Sequence, residues 1–204
     1  MPPDNLHMTA IEITHSRTQP EIDELVEQMK PHLPELVNYT RKSLHLLSTQ
    51  PLTQTGAESH HPRLHSPLIS YDAQGLALSF LPAAGASPAA PHTYHHLRRD
   101  LHARLTAAGV PVGSRYVVPS AHLTVARFVE SSDFEDGAGR VDAAKMARFV
   151  GVLEDVNAWL EGEFWPREGR EGLVWTVGEE KGLDCREGKL WYGGGRTVLV
   201  GEGI

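Results

Sequence analysis

The chain has 204 residues, a single cysteine and a formal net charge of -7. That length suffices for a proper core in one domain or two joined lobes, and the acidic balance excludes the basic footprint that long nucleic acid requires, though not a small nucleotide or a short RNA end. One cysteine excludes an internal disulfide, no apolar run is long enough to span a membrane, and the start Met-Pro-Pro-Asp-Asn-Leu-His lacks the basic and apolar parts of a signal peptide, so a cytoplasmic protein is expected, the nucleus being compatible too.

Residues 6–14 alternate in the manner of a half-buried strand. Thr18 and Glu21 form a T-x-x-E capping box, and Ile22, Leu25, Val26 and Met29 follow at helical spacing, so a helix starts near Gln19. Pro31 and Pro34 interrupt it, with Leu33, Leu36 and Val37 carrying a second half. Residues 50–62, polar and rich in Pro, Thr, Gln and His, read as a loop. Leu64 to Tyr71 and Leu76 to Leu81 form two strands about the turn Asp72-Ala73-Gln74-Gly75. The Ala/Pro/Gly/Ser-rich stretch from Pro82 to Pro91 reads as a flexible connection. A helix follows from about Thr93 to Ala108, with Leu97, Leu101 and Leu105 as its apolar stripe and Gly109 as its stop. A strand over 121–129 leads into an acidic loop at 131–140. Asp142 then caps a helix to about Glu161, with Met146, Phe149, Val150, Leu153, Val156 and Leu160 inward and Gly162 ending it. Short strands close the chain: Gly172 to Val177, Leu183 to Cys185, Lys189 to Tyr192 and Thr197 to Val200.

Two of these strands carry the same four-residue pattern, His-apolar-Thr-apolar: His7-Met8-Thr9-Ala10 and His122-Leu123-Thr124-Val125. From the chain's His, Thr and apolar content, chance supplies roughly 0.1 copies. On a strand, residues i and i+2 share a face, so each copy places an imidazole beside a hydroxyl on one surface with apolar neighbours on the other. Two histidines and two hydroxyls provide a general acid, a general base and two hydrogen-bond donors, a set that cleaves a phosphate ester without a metal. Around the motifs the order strand, helix, hairpin occurs twice, while the helix at 93–108 has no counterpart before the first copy. A duplicated unit buries its core against its twin, so an N-terminal helix or strand is expected to be lacking. An open sheet edge left there would permit self-association.

The two motifs resemble the paired H-x-T-x motifs of the 2H phosphoesterase superfamily, which includes the RNA ligase/cyclic nucleotide phosphodiesterase-like proteins. Pro-Pro-Asp-Asn-Leu-His-Met-Thr and Lys-Leu-Trp-Tyr-Gly-Gly-Gly-Arg look most like its fungal branch. The resemblance implies that residues 1–204 form a single two-lobed, pseudo-twofold α+β domain, with antiparallel sheets facing a central cleft and helices outside. It implies His7 and His122 as the catalytic pair and Thr9 and Thr124 as phosphate-binding hydroxyls, with no cofactor and no metal. The substrate implied is a nucleoside or RNA 2′,3′-cyclic phosphate, hydrolysed or, in reverse, ligated. A non-catalytic nucleotide- or RNA-binding module of the same fold is the alternative.

Several other residues have a functional reading beside a plainer one. Tyr116 and Tyr192 are candidates for stacking a base at a cleft rim. His92 and His96, four apart on a helix, have metal-ligand spacing but no accompanying carboxylate, so exposed or capping roles suit them better. Arg115 and Arg127 are candidates for helping a phosphate, but strict alternation puts Arg127 on the face opposite His122, which favours a structural salt bridge. Gly193-Gly194-Gly195 reads as a tight turn between strands, and Trp159, Trp165, Trp175 and Trp191 as core.

Overall fold

The computed structural model describes residues 2–41, 61–83, 92–113, 121–189 and 194–204. Its elements run α1 (Gln19–Met29), α2 (Leu33–Val37), β1 (Arg63–Tyr71), β2 (Gly75–Pro82), α3 (Tyr94–Ala107), β3 (His122–Arg127), α4 (Ala143–Phe164), β4 (Val174–Thr176), β5 (Lys181–Glu187) and β6 (Arg196–Glu202), with single 3-10 turns at Pro3–Asn5, Tyr39–Arg41 and Ser132–Phe134. The class is α+β, with one four-stranded sheet of order β3-β2-β1-β4 and one two-stranded sheet, β5-β6. None of the described helices is long and apolar enough to cross a membrane.

The described chain divides into two compact units, each discontinuous in sequence. The first holds residues 1–8, 65–81 and 122–174; the second holds 9–64, 82–121 and 175–204. The hairpin of the first sequence repeat thus shares a unit with the motif strand and long helix of the second.

In the first unit, β1 and β2 meet through a two-residue turn that Asp72 closes. Its Oδ1 accepts the Gln74 and Gly75 amides at 2.7 and 3.0 Å, and its own amide donates to the Gly75 carbonyl at 3.1 Å. Gly75 is obligatory because a Cβ there would run into the Ala126 carbonyl of the neighbouring strand. Helix α4 begins at Asp142, whose Oδ1 accepts the amides of Ala144 and Lys145 at 2.8 and 3.1 Å. Its inward stripe is the expected one, with Leu153 and Leu160 buried and Met146, Phe149, Val150 and Val156 half-buried. It does not stop at Gly162 but continues to Phe164. A helical glycine costs only about 1 kcal/mol relative to alanine, and the terminal carbonyls find partners: Arg167 donates to Glu161 (3.2 Å), Arg170 to Gly162 (2.7 Å) and the Leu173 amide to Phe164 (2.7 Å). Trp159 is 57% exposed rather than core, stacked edge-on against Phe164. Trp165 is half-buried and spends its indole N–H on the Pro67 carbonyl at 2.8 Å.

In the second unit, the Thr18–Glu21 capping box forms as read. The Thr18 amide and hydroxyl both donate to Glu21 Oε2 at 2.8 Å, and the backbone bond from Thr18 leads in holding the Glu21 carboxyl below its usual range. The prolines split α1 from α2 as expected, and Leu33, Leu36 and Val37 are buried. Gly182 on β5 and Gly201 on β6 let this sheet approach the Val37 carbonyl, which a Cβ at either position would strike. Helix α3 buries Tyr94, Leu97, Leu101 and Leu105 and ends at Gly109 (φ +75°). Arg98 lies in the same buried stripe, where its Nε donates to the Ala10 carbonyl at 2.8 Å.

That bond explains a departure in the first motif segment. Residues 6–14 do not form a continuous strand; only Met8 makes a ladder bridge. Beyond it the carbonyls of Thr9, Ala10 and Ile13 are taken by the Tyr94 hydroxyl, Arg98 and the Gly113 amide. Backbone groups satisfied by side chains have no need of a neighbouring strand. The readings at 50–62 and 82–91 fall mostly outside the described residues, as do most of Lys189 to Tyr192 and Trp191; Lys189 itself is not in a strand.

Candidate functional site

The second motif sits on β3, whose register with β2 fixes which side chains share a face. His122 lies opposite Ser79, Leu123 opposite Leu78 and Thr124 opposite Ala77. Directly opposed residues point to the same side of a sheet. One face therefore carries His122, Thr124, Ala77 and Ser79; the other carries Leu123 and Leu78. The first motif joins from the outer side of β3, where an antiparallel bridge pairs Met8 with Leu123. His7, one residue before Met8, thus stands beside Thr124, one residue after Leu123, and Met8 falls on the apolar side. Alternation and pairing assemble His7, His122 and Thr124 on one surface of the first unit, each half-buried.

His7 is oriented by its own backbone. Its Nδ1 lies 2.9 Å from the Asn5 carbonyl oxygen. A carbonyl only accepts, so Nδ1 carries the proton and Nε2, in the neutral ring, is the nitrogen left with a lone pair. The 3-10 turn at Pro3–Asn5 holds that carbonyl in place.

Beyond Thr124 the register slips. Ala126 pairs with Leu76 and Arg127 with Gly75, so Val125 is the inserted residue of a β-bulge. The insertion reverses the alternation. Arg127 shares the face of Gly75, Ala77 and Ser79, and hence of His122, contrary to the expectation from strict alternation. Independent packing agrees. Helix α4 covers the apolar face, where Phe149 meets the rings of Tyr71 (5.3 Å between centroids) and Phe128 (5.9 Å). Arg127 alternates with Phe128 and so faces away from α4. Its guanidinium reaches the Gln74 side-chain oxygen at 3.5 Å.

Two serines complete the polar face. In a two-residue hairpin Ser70 falls opposite Ala77 and Tyr71 opposite Leu76. The Ser70 and Ser79 hydroxyl oxygens are 2.7 Å apart, and Ser70 Oγ reaches the Ala77 carbonyl at 3.4 Å. The edge of β1 is closed by Asn157 of α4, which accepts the Ile69 amide at 2.6 Å and donates to the Ile69 carbonyl at 3.0 Å.

Compared with known proteins, the chain matches no family model, no curated protein and no solved structure.

The remaining predicted site residues are distributed differently. Thr9 directly follows Met8 and is the first residue of the second unit; it is exposed, with its carbonyl accepting the Tyr94 hydroxyl at 3.3 Å. Burial pushes the pKa of that hydroxyl up to about 12. Tyr116, Tyr192 and Arg115 lie outside the described residues. His96 serves as a capping residue, its Nδ1 accepting the Thr93 amide at 3.1 Å. His92 donates from Nε2 to Asp100 at 3.3 Å. Asp100 also takes the Tyr39 hydroxyl at 2.8 Å and Arg99 at 2.8 Å. Burial raises the Asp100 pKa, but the bonds from Tyr39, Arg99 and His92 outweigh it and hold the carboxyl below its usual range. This cluster ties α3 to the turn after α2 and is structural.

Sequence reading passed over Ser79, Ser70, Asn5 and Asn157, and placed Arg127 on the wrong face. The serines had a signal available: each alternates with leucine, isoleucine or an aromatic residue in a hairpin strand. The bulge had none, because Thr-Val-Ala-Arg reads as unbroken strand.

Proposed function

We propose that the chain is a 2H-type phosphoesterase that hydrolyses nucleoside or RNA 2′,3′-cyclic phosphates, using His7 and His122 as proton-transfer groups. The observation that carries this reading is the meeting of the two H-x-T-x motifs at the Met8–Leu123 bridge. The bridge sets an imidazole from one motif beside the imidazole and hydroxyl of the other on a polar sheet face. The interleaving of the two sequence repeats within each unit is in keeping with the pseudo-twofold 2H fold.

One histidine, neutral, takes a proton from water as its oxygen bonds to phosphorus. The other, protonated, gives a proton to the ribose oxygen as its bond to phosphorus breaks. The product is a ribose phosphomonoester, and the two histidines finish with their protonation states exchanged. Histidine suits both roles because its ordinary pKa lies near neutrality, and each transfer contributes about 10²–10⁴-fold. The Thr124 hydroxyl and the Arg127 guanidinium hold the non-bridging oxygens as negative charge builds, and the family resemblance gives Thr9 the same role. Chemistry of this kind calls for no metal, so activity should persist in EDTA.

The test is turnover of a panel of nucleoside 2′,3′-cyclic phosphates, with EDTA, by wild type and by His7→Ala and His122→Ala. Loss in both folded variants supports the reading. A folded wild type that binds these nucleotides without turnover would make the protein a binding module instead, and retained activity in either variant would refute the two-histidine scheme.

A further inference from the structure

Helix α4 turns Leu153 and Leu160 inward, and one of its outer flanks is apolar where a surface helix is ordinarily polar. Val152 is 55% exposed and Trp159 57%. They stand seven residues apart, two turns, on the same side of the helix. Trp159 is also held in place, edge-on to Phe164 at 5.4 Å, so little side-chain freedom is left for a partner to freeze.

Charge frames this pair. Arg148 lies four residues before Val152 and Glu163 four after Trp159, both exposed. At about 100° per residue the four side chains fall within about 60° of arc. Neither charge finds a partner on its own helix. The positions three and four away from Arg148 hold Ala144, Lys145, Gly151 and Val152, and those before Glu163 hold Trp159 and Leu160. Among the described residues neither enters a salt bridge. The charges also run against the helix dipole: the first turn carries Lys145 and no acid, the last turn Glu161 and Glu163 and no base. A helix facing only water gains nothing from that arrangement.

We infer that this flank of α4 is the contact face of a homodimer, packed antiparallel on the α4 of a second copy. The order Arg148, Val152, Trp159, Glu163 is plus, apolar, apolar, minus, with spacings of 4, 7 and 4. Such an order is its own complement when reversed. A twofold axis crossing between Asp155 and Val156 sets Arg148 against the partner's Glu163 and Val152 against the partner's Trp159, and each contact occurs twice. The same arrangement brings the basic end of each helix to the acidic end of the other and opposes the two dipoles. A chain of net charge -7 repels its copies at large, so the attraction is local to this face. The contact from 148 to 163 runs about 22 Å at 1.5 Å per residue. That is small for a specific interface, so the expected dissociation constant is on the order of 10–100 μM. One opposing contact marks the axis, where Asp155 stands near its own copy.

The experiment is sedimentation equilibrium of the full chain from about 5 μM to about 1 mM, in about 0.15 M salt. Wild type should pass from monomer to dimer over that range. Arg148→Glu and Glu163→Arg each replace two ion pairs by two like-charge contacts, and each should weaken association by at least about tenfold. The double variant exchanges the charges and should return association to within about threefold of wild type. Glu163→Arg separates the dimer from the fold, because a base in the last turn favours the helix: its stability in urea should not fall while its dimer is lost. Trp159→Ser should weaken the dimer about tenfold, and Asp155→Asn should strengthen it about threefold. A wild type that stays monomeric at about 1 mM would overturn the proposal. So would a dimer indifferent to both single charge changes, whose contact would then lie elsewhere, such as a sheet edge, or one that the double exchange fails to restore.

Discussion

Asn157 is the sharpest test of how the long helix holds the four-stranded sheet. Its amide oxygen accepts the Ile69 N–H at 2.6 Å and its amide nitrogen donates to the Ile69 carbonyl at 3.0 Å, both part-buried. Asn157→Ala removes both bonds and bares two backbone groups. At about 1 kcal/mol per lost bond, with a further penalty for part-buried groups that water reaches poorly, the expected loss is about 2–4 kcal/mol. Asn157→Asp separates the two bonds. A carboxylate still accepts from the Ile69 amide, but its second oxygen now faces the Ile69 carbonyl, acceptor against acceptor. Protonated, that oxygen donates and the native pattern returns. The pKa of the introduced carboxyl is therefore raised in the folded state, so Asn157→Asp should be nearly as stable as wild type in acid, below the unfolded carboxyl pKa, and fall behind as pH rises through the folded value. Urea unfolding of wild type and both variants from about pH 3 to pH 8 checks this. An Asn157→Asp variant whose deficit is the same at every pH would refute the reasoning, because the donor to Ile69 would then carry no weight.

Three further outcomes follow from the same structure. Arg127→Ala should reduce kcat/KM for a cyclic phosphate by about 10- to 100-fold, with Arg127→Lys recovering only part, since charged hydrogen bonds contribute about 1.5–3 kcal/mol and a lysine lacks the planar fork; steady-state kinetics measure it, and an unaffected Arg127→Ala would remove that residue from the proposed phosphate site. Asp100→Asn should destabilise the protein at neutral pH but not in acid: the Asp100 pKa is lowered in the folded state, so its contribution is present above the unfolded carboxyl pKa and is lost as pH falls through the folded one, as unfolding curves from about pH 3 to pH 7 would register. Gly201→Ala should cost more than about 2 kcal/mol in urea unfolding, because its Cβ would meet the Val37 carbonyl, a backbone atom that cannot rotate away.

The sequence by itself determined most of the local structure. Thr18–Glu21, Asp142 and the Asp72–Gly75 turn are short-range devices, each a side chain satisfying amides within three residues, so they operate wherever the chain places them. The stripes of α3 and α4 were legible for a similar reason, since helical periodicity states which face is buried whatever buries it. The pairing of imidazole with hydroxyl in the second motif was legible from the period of a strand, whereas in the first the strand period ends at Met8 and Thr9 begins the second unit. Other features were decided only by the tertiary structure. Whether the two motifs met depended on the Met8–Leu123 bridge, a contact between residues 115 positions apart. The first motif segment read as a strand because periodicity cannot reveal that Tyr94 and Arg98 take its carbonyls, although an arginine inside a leucine stripe was a visible sign. Trp159 read as core because apolar character does not say which flank of a helix meets the sheet. The face of Arg127 turned on one inserted residue. A bulge is a matter of which strand supplies two residues against its partner's one, so it exists only between strands, and no single strand's sequence records it.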